Sequence, residues 1–390
     1  MEFRHRASDT EVHWGRGRRH DVGEVVARHG DDALVVTTNS AMQDAGYLDD
    51  VLESLDEADV EARVHEGVRP NPSVEDVLEV VERGLGADVV LGFGGGSVID
   101  VSKAAAVLLA SYDDVPTREQ AWEHARGETS LESALPVVAF PTTSGTGSHV
   151  DPWAVVSNDE EGAKVGFGSR ATVPASAVVD ADVLDEMPGS LAARTGFDAF
   201  CHLSEAFVSR YRDPLTDAQA LRGVELVRRW LPDSVDGEAA ARETMAVADT
   251  LAGYCETTVG VISTHALAHA VGASDPEVAH GEALAAVASE VAAYNVENGD
   301  DEVQRRYGLL ADRLGEPVAD PKLDAGLAVD GFDHLKDDVG LDVSLSDLGF
   351  DEDDVESLAT NAAVYMDGAV RCNPVELSEE DLAAILEDAL

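Results

Sequence analysis

One aspartate and four histidines in the second half of the chain could together bind a metal ion. Asp198 and His202 stand four residues apart in TGFDAFCHLSEAFVS, and His265, His269 and His280 follow in STHALAHAVGASDPEVAHG. Residues four apart on a helix share one face. Nitrogen and oxygen ligands without a thiolate suit Fe(II), Zn(II) or Mn(II), and the spacing does not choose between them. A lone histidine is more often structural than a ligand, but this grouping in a chain of 12 histidines favours a metal site.

Two loops rich in glycine and hydroxyl groups could bind a nucleotide. GFGGGSVIDVSK (residues 92–103) and PTTSGTGS (residues 141–148) each follow a strand-like run. Glycines let the backbone approach a pyrophosphate, and the N–H groups at a helix start face the anion. Neither loop has the GxGxxG spacing, and glycine also serves turn geometry alone. A dinucleotide beside a metal fits metal-assisted redox chemistry of alcohols or carbonyl compounds.

Strand-like and helix-like segments alternate in the first half of the chain. The predicted strands are Ala33–Thr37, Val60–Val64, Ala87–Phe93 and Leu135–Phe140. The predicted helices are Ala41–Ala58, Ser97–Ala110 and one that begins after an N-cap at Ser73 and runs through Arg83. Such alternation predicts a parallel sheet with right-handed crossovers.

Helical periodicity replaces this alternation after about Leu184. Met187-Pro188-Gly189 interrupts the chain, and the predicted helices that follow are Leu191–Arg210, Asp217–Trp230, Glu238–Cys255, Thr264–Gly272, Glu282–Asn295, Asp301–Leu314 and a last one capped at Ser378. We therefore predict an α/β dinucleotide-binding domain over residues 1–185 and an all-helical metal-binding domain over residues 186–390.

The acidic composition argues against a nucleic-acid partner and indicates adaptation to salt. The formal net charge is −50, from 77 acidic and 27 basic residues, and the acids are spread along the whole chain. With 44% hydrophobic residues, this indicates an acidic surface on a folded protein rather than a disordered tail. Such a surface repels nucleic-acid phosphates. It also destabilises the compact state unless salt screens it, so we expect adaptation to molar salt.

The chain carries no sign of membrane insertion or secretion. No apolar run reaches the roughly 18 residues of a membrane span, and the N-terminal residues MEFRHRASD lack the apolar segment of a signal peptide. Cys201, Cys255 and Cys372 are widely spaced and give no disulfide framework. We expect a cytoplasmic protein.

The chain resembles the iron-dependent (group III) alcohol dehydrogenases over nearly its whole length. Five motifs in order carry the resemblance: GGGSVIDVSK, PTTSGTGSHV, TGFDAFCHLSEAFVS, GVISTHALAHAVG with a later AHG, and NPVELSEEDL. The resemblance implies a Rossmann-like α/β domain and an all-α domain like that of dehydroquinate synthase. It further implies small alcohols and aldehydes or ketones as substrates, NADP or NAD with Fe(II), and a homodimer. The acidic surface resembles that of halophilic archaeal proteins.

Other activities remain open within this resemblance. They are those of a maleylacetate reductase, a hydroxyacid–oxoacid transhydrogenase or a polyol dehydrogenase. An alternative from a different functional class is a non-catalytic nucleotide- or metal-binding protein. Such a protein would keep the fold but lose one of the two partners of the reaction, the metal or the nucleotide.

The resemblance also assigns roles to residues. The metal ligands are Asp198, His202, His265 and His280, and His269 is a catalytic residue between metal and nicotinamide, as a proton relay or a positioning residue. The cofactor is held by Gly95, Gly96, Ser97, Asp100, Thr142, Thr143, Thr146 and Lys164. The substrate pocket is placed near Trp153, Glu256 and Cys372.

Three positions depart from the family pattern. Thr38 follows the first predicted strand where an aspartate often binds the adenosine ribose, so a neutral side chain favours NADP. The stretch from His265 to His280 looks one residue longer than usual, with Ala279 where proline is common, so His280 matches the family motif least well of the four ligands. His149 stands where glutamate is usual, and the sequence offers no physical reason for it.

Overall fold

The computed structural model describes residues 3–38, 41–158 and 160–390. Its contacts divide the chain into two units. The first, which we call the nucleotide unit, spans Ser8–Met187. The second, the helical unit, spans Pro188–Leu390 together with the N-terminal residues through Ala7. The sequence places those first residues in the other domain, but His5 lies 3.2 Å from Asp213 of the helical unit.

The described part of the nucleotide unit contains eight strands. They are β1 (Glu11–Gly15), β2 (Asp32–Thr37), β3 (Glu61–Glu66), β4 (Val89–Gly94), β5 (Val137–Pro141), β6 (Trp153–Asn158), β7 (Ala163–Gly168) and β8 (Ser176–Asp180). The helices between them are α1 (Val22–Val26), α2 (Ala41–Asp44), α3 (Tyr47–Glu57), α4 (Val74–Gly84), α5 (Gly96–Ser111), α6 (Arg118–Ala125) and α7 (Ala181–Leu184). Short 3-10 turns lie at Arg18–Asp21 and Arg170–Thr172.

Six of the strands form one parallel sheet in the order β1-β8-β5-β4-β2-β3. β6 and β7 pair separately as an antiparallel hairpin. Every residue of β4 is buried, as expected for a strand covered on both faces. The chain order reverses between β2 and β4, and ligands of open α/β sheets bind at the carboxyl ends of strands at such a point.

The predicted parallel sheet is confirmed, with corrections at particular elements. The single helix predicted over Ala41–Ala58 is wrong: the helix is broken at Gly46, which adopts φ +80° at the N-cap of α3. The predicted N-cap at Ser73 is confirmed, since its hydroxyl accepts a hydrogen bond from the Asp76 N–H and its own N–H donates to the Asp76 carboxylate. The edge strand β1, the strand β8 and the β6–β7 hairpin were not predicted.

The described part of the helical unit consists of ten helices. They are α8 (Gly189–Val208), α9 (Pro214–Val235), α10 (Ala239–Val259), α11 (Ser263–Ser274), α12 (His280–Asn298), α13 (Asp301–Leu314), α14 (Leu327–Val339), α15 (Val355–Tyr365), α16 (Asp367–Cys372) and α17 (Glu379–Asp388). Their apolar faces share one buried core, in which Phe197, Phe200 and Phe207 of α8 are almost wholly enclosed. The aromatic pair Phe200–Phe332 packs edge to face at 4.7 Å. Along the described residues, we find no helix with the combination of length and apolarity needed to cross a membrane.

Candidate metal site and nucleotide-binding loops

Three predicted metal ligands lie together in the helical unit, with two histidine nitrogens near one oxygen of the Asp198 carboxylate. Asp198 and His202 project from the same face of α8, and His265 comes from the first turn of α11. Asp198 Oδ1 lies 3.3 Å from His202 Nε2 and 3.4 Å from His265 Nε2. The three ligand atoms all lie within 4.8 Å of one another, and all three residues are buried.

His280 stands at the edge of this cluster. It is the first residue of α12, and its Nε2 lies 3.8 Å from the same Asp198 oxygen. Its side chain is 25% exposed, whereas those of the other three are nearly enclosed. The structure therefore brings all four predicted ligands together, with His280 on the side that solvent reaches.

His269 lies beside the cluster. It is one helical turn beyond His265 on α11, with ring centroids 6.5 Å apart, and its ring packs edge to face on His280 at 5.2 Å. Its position next to His280 suits a group that exchanges protons near a bound ligand.

The electrostatics of the cluster favour a cation. Burial disfavours ionisation of Asp198, but His202, His265 and His280 outweigh burial and hold the pKa of Asp198 well below its usual range. Burial also opposes protonation of His265, but Glu205 and Asp198 raise the pKa of His265 to about 10. Among the described residues, Asp198 Oδ1 and His265 Nε2 are buried without a well-formed hydrogen bond. A divalent metal fits this donor set, because it satisfies both atoms at once.

Two further carboxylates face the ligand histidines. Glu205 Oε1 lies 2.6 Å from His265 Nδ1, and Glu205 Oε2 accepts a hydrogen bond of 2.6 Å from the Ile262 N–H. Glu256 Oε2 lies 3.4 Å from His202 Nδ1. Glu205 was not predicted from the sequence, although its spacing of three residues from His202 puts it on the ligand face of α8. Glu256, predicted to lie near the substrate pocket, contacts the predicted ligand His202.

The two predicted nucleotide loops pack against each other in the nucleotide unit. Gly95 caps α5 after β4, and the Thr142 N–H donates to the Gly94 carbonyl at 3.0 Å. A Cβ on Gly95 would lie 3.1 Å from Thr143 Oγ1, and one on Gly96 would lie 2.6 Å from Thr146 Cγ2. Glycine at these positions lets the threonine loop approach the start of α5, where backbone N–H groups can bind an anion.

A buried lysine fixes the second loop. Lys103 Nζ donates to Ser148 Oγ at 2.8 Å, to Asp151 Oδ1 at 2.9 Å and to the Trp153 carbonyl at 2.6 Å. Ser148 in turn donates to Asp100 Oδ1 at 2.7 Å, and the Val155 N–H donates to Asp100 Oδ2. Both oxygens of Asp100 thus accept hydrogen bonds within the nucleotide unit, one from the Ser148 hydroxyl and one from the Val155 N–H. Burial outweighs the adjacent Lys103 and raises the pKa of Asp100 to about 6.

The other predicted cofactor residues lie in the same unit. Thr38 directly follows β2, whose last residue pairs with Phe93 of β4. Lys164, on β7, is buried and donates to Asn71 Oδ1 at 2.7 Å.

Two residues that the sequence singled out have distinct surroundings. His149 is enclosed, and burial together with the nearby Lys103 charge lowers its pKa to about 3, so the imidazole is neutral at physiological pH. Cys372 ends α16 in the helical unit, and its Sγ would lie 3.6 Å from a Cβ on Gly260.

Two family models match successive parts of the chain. The model described as iron-containing alcohol dehydrogenase matches residues 9–181. The model described as the Fe-containing alcohol dehydrogenase family, C-terminal, matches residues 192–390.

Known proteins and solved structures resemble this chain over nearly its full length. Lactaldehyde reductase of Escherichia coli K12 is 30% identical over 386 residues, covering 97% of this chain and 98% of that protein. The 1,3-propanediol dehydrogenase of Klebsiella pneumoniae is 32% identical over 369 residues, covering 92% of each. The structure of an archaeal halo-thermophilic alcohol dehydrogenase from a Red Sea brine pool has a TM-score of 0.95 and 37% identity, covering 100% of this chain and 99% of that one.

Proposed function

Since the chain belongs to the iron-containing alcohol dehydrogenase family, and is an NAD(P)-dependent alcohol dehydrogenase, we propose that it interconverts small alcohols with aldehydes or ketones at a divalent metal. The metal is held by Asp198, His202, His265 and His280. The observation that carries this proposal is the convergence of three imidazole nitrogens on Asp198 Oδ1, at 3.3, 3.4 and 3.8 Å. Fe(II) is the metal we favour.

The chemistry divides between the bound groups and the protein. When bound, the metal supplies Lewis-acid chemistry toward the substrate oxygen, and the nicotinamide accepts or returns the hydride. Asp198 and the three histidines fix the position at which the substrate oxygen reacts. His269, next to the partly exposed His280, passes the hydroxyl proton toward solvent.

The nucleotide unit holds the cofactor in this proposal. Backbone N–H groups of Gly95, Gly96 and Ser97 at the start of α5 bind the pyrophosphate. Thr142, Thr143 and Thr146 line the binding surface, with Asp100 holding the loop and Lys164 reaching the ribose. Thr38, neutral at the end of β2, admits the 2′-phosphate of NADP. Trp153, Glu256 and Cys372 remain our predictions for the substrate pocket.

The acidic surface adapts the enzyme to molar salt in this proposal. A structural relative from a halo-thermophilic archaeon supports this reading. The homodimer, the cytoplasmic location and a halophilic archaeal source likewise remain predictions. The molecular mass of the protein in molar KCl tests the predicted homodimer directly.

The test combines elemental analysis with a substrate screen. The purified protein in molar KCl is loaded anaerobically with Fe(II), or with Zn(II) or Mn(II), and reduction of NADP is followed with a panel of small alcohols. We expect one equivalent of metal and metal-dependent turnover. His265→Ala should lose both together, while His334→Ala, at an exposed histidine of the same unit that also faces a carboxylate, should keep both.

Two results would contradict the proposal. Stoichiometric metal retained in His265→Ala would refute the ligand assignment. Metal and nucleotide binding by the wild type without turnover on any alcohol would favour a non-catalytic binding protein.

A further inference from the structure

We propose that Glu205 is a positioning residue, which fixes the tautomer and orientation of His265 so that His265 Nε2 faces the metal. The inference rests on the metal site of the proposed function and adds a residue that sequence motifs do not assign. Glu205 does not point at Asp198 or at the substrate in this scheme. It acts through the imidazole behind which it lies.

Both oxygens of Glu205 contact groups at the start of α11. Oε1 contacts His265 Nδ1 and Oε2 accepts from the Ile262 N–H, each at 2.6 Å. Ile262 is the N-cap residue of α11, three positions before His265. Glu205 is 3% exposed, so little water competes for these bonds. One buried carboxylate of α8 therefore fixes both the start of α11 and the ring that α11 carries.

The contact decides which imidazole nitrogen is free. A neutral imidazole carries one N–H, and a carboxylate that only accepts hydrogen bonds requires that N–H at Nδ1. Once a metal takes the place of the second ring proton, the lone pair lies on Nε2, 3.4 Å from Asp198 Oδ1. Two acceptors that face each other inside the protein repel unless a cation lies between them. Glu205 thus directs the lone pair toward the position where the proposed metal is needed.

Glu256 provides a looser counterpart behind His202. Its Oε2 lies 3.4 Å from His202 Nδ1, longer than the ~2.7–2.9 Å of a charge-assisted hydrogen bond. Its backbone belongs to α10, while Glu205 belongs to α8 along with His202. We therefore expect the same kind of effect at Glu256, but a smaller one.

The discriminating variant is Glu205→Gln. An amide offers one acceptor and one donor group, whereas Glu205 accepts from two N–H groups. If the amide oxygen accepts from Ile262, the amide NH₂ faces His265 and moves the proton to Nε2, where it blocks metal binding. If the oxygen faces His265 instead, the NH₂ opposes the Ile262 N–H.

The measurement is metal affinity, which does not depend on turnover. Wild type, Glu205→Gln, Glu256→Gln and the control Asp213→Asn are titrated with Co(II) in competition with a chelator, and the visible d–d absorption of bound Co(II) is recorded. We expect Glu205→Gln to bind roughly 10- to 100-fold more weakly with an altered spectrum, and Glu256→Gln to show a smaller loss. Asp213→Asn removes a buried carboxylate that faces His5, outside the cluster, and should match the wild type.

The outcomes separate this inference from the proposed function. Wild type that binds no Co(II) overturns the metal site and the inference with it. Wild type that binds, with folded Glu205→Gln of equal affinity and spectrum, overturns the positioning role alone.

If Glu205→Gln does not fold, the zinc-loaded wild type decides the question. Its nitrogen-15 histidine spectrum should show His265 protonated at Nδ1, with that proton shifted downfield and slow to exchange. An unprotonated or rapidly exchanging Nδ1 would overturn the role of Glu205.

Discussion

Asp198 is the residue on which the predicted metal site depends most. One of its oxygens is the common neighbour of three imidazole nitrogens. A buried carboxylate is tolerated only with compensating charge or hydrogen bonds, and here the histidines supply both. His202 and His265 lie nearest to this oxygen, and His280 lies farthest from it.

Thr38 sets the first prediction at this scale. We expect Thr38→Asp to shift preference from NADP toward NAD, because a carboxylate repels the 2′-phosphate. Two unit charges about 4 Å apart interact by on the order of 1 kcal/mol in bulk water and 4 kcal/mol near a protein surface, which corresponds to roughly five-fold or more in the ratio of kcat/KM for the two cofactors. Thr38→Asn is the control, because asparagine has nearly the size of aspartate but no charge. It should keep the wild-type ratio. An equal ratio in both variants would show that Thr38 does not face the ribose.

His149 makes the stability of the protein depend on pH. Its pKa is about 3 in the folded state, against about 6.5 for an exposed histidine. The unfolded chain therefore binds a proton that the folded chain excludes as the pH falls below about 6.5, and stability is lost from there toward about 3.

We expect His149→Gln to lose less stability over that range, by up to a few kcal/mol. The measurement is the free energy of unfolding by urea in molar KCl at several pH values for both proteins. The difference between wild type and variant should change in the variant's favour as the pH is lowered. Parallel curves would mean that His149 does not hold its neutral form in the folded state.

The sequence predicts some of these residues and misses others for a definite reason. The spacing of Asp198 and His202 fixes their shared face because both lie on α8. The contact of Glu205 with His265 joins residues 60 positions apart through the packing of α8 near α11. No spacing within one helix encodes that packing, so the role of Glu205 emerges only from the structure.

At the scale of elements, burial decides what the sequence reveals. β4 and β5 are buried throughout, and their apolar runs predict them correctly. β1 has the sequence EVHWG and only one neighbour in the sheet, so it lacks an apolar run. Ala45 and Gly46 separate α2 from α3, and the left-handed backbone of Gly46 is not encoded in the apolar pattern of the sequence.

The close approach of the two nucleotide loops sets a prediction at this scale. Because a Cβ at residue 96 would lie 2.6 Å from Thr146 Cγ2, we expect Gly96→Ala to push the loops apart. A displacement on the order of 1 Å in such a site weakens kcat/KM by up to about 100-fold. Calorimetric titration with NADP measures the binding part of this loss.

Gly166→Ala is the matched control. Gly166 lies on β7 of the same unit, and a Cβ there meets no heavy atom within 4 Å. It should bind NADP as the wild type does. Wild-type affinity in Gly96→Ala would show that the loops tolerate separation and that the pyrophosphate does not depend on their contact.

At the scale of the whole molecule, charge dominates. The 27 basic residues can neutralise only part of the 77 acids, whatever the pairing. Many pairs lie at the surface, such as Arg222–Glu225 and Arg305–Glu302, where each contributes at most about 1 kcal/mol. The remaining acids repel one another across the folded surface, and unfolding relieves that repulsion.

We therefore expect the melting temperature to rise steeply with KCl and to level off near molar concentration, where the screening length falls to about 3 Å. A variant with Glu53→Lys, Glu352→Lys and Glu356→Lys, all at exposed positions, removes two units of negative charge at each site. It should reach the same melting temperature at lower salt, because less repulsion is left to screen. Thermal melts of both proteins across a KCl series measure the shift. A wild-type melting temperature that does not change with salt would show that the acidic surface does not affect stability. A triple variant with the wild-type salt dependence would show that the effect of salt is not electrostatic screening.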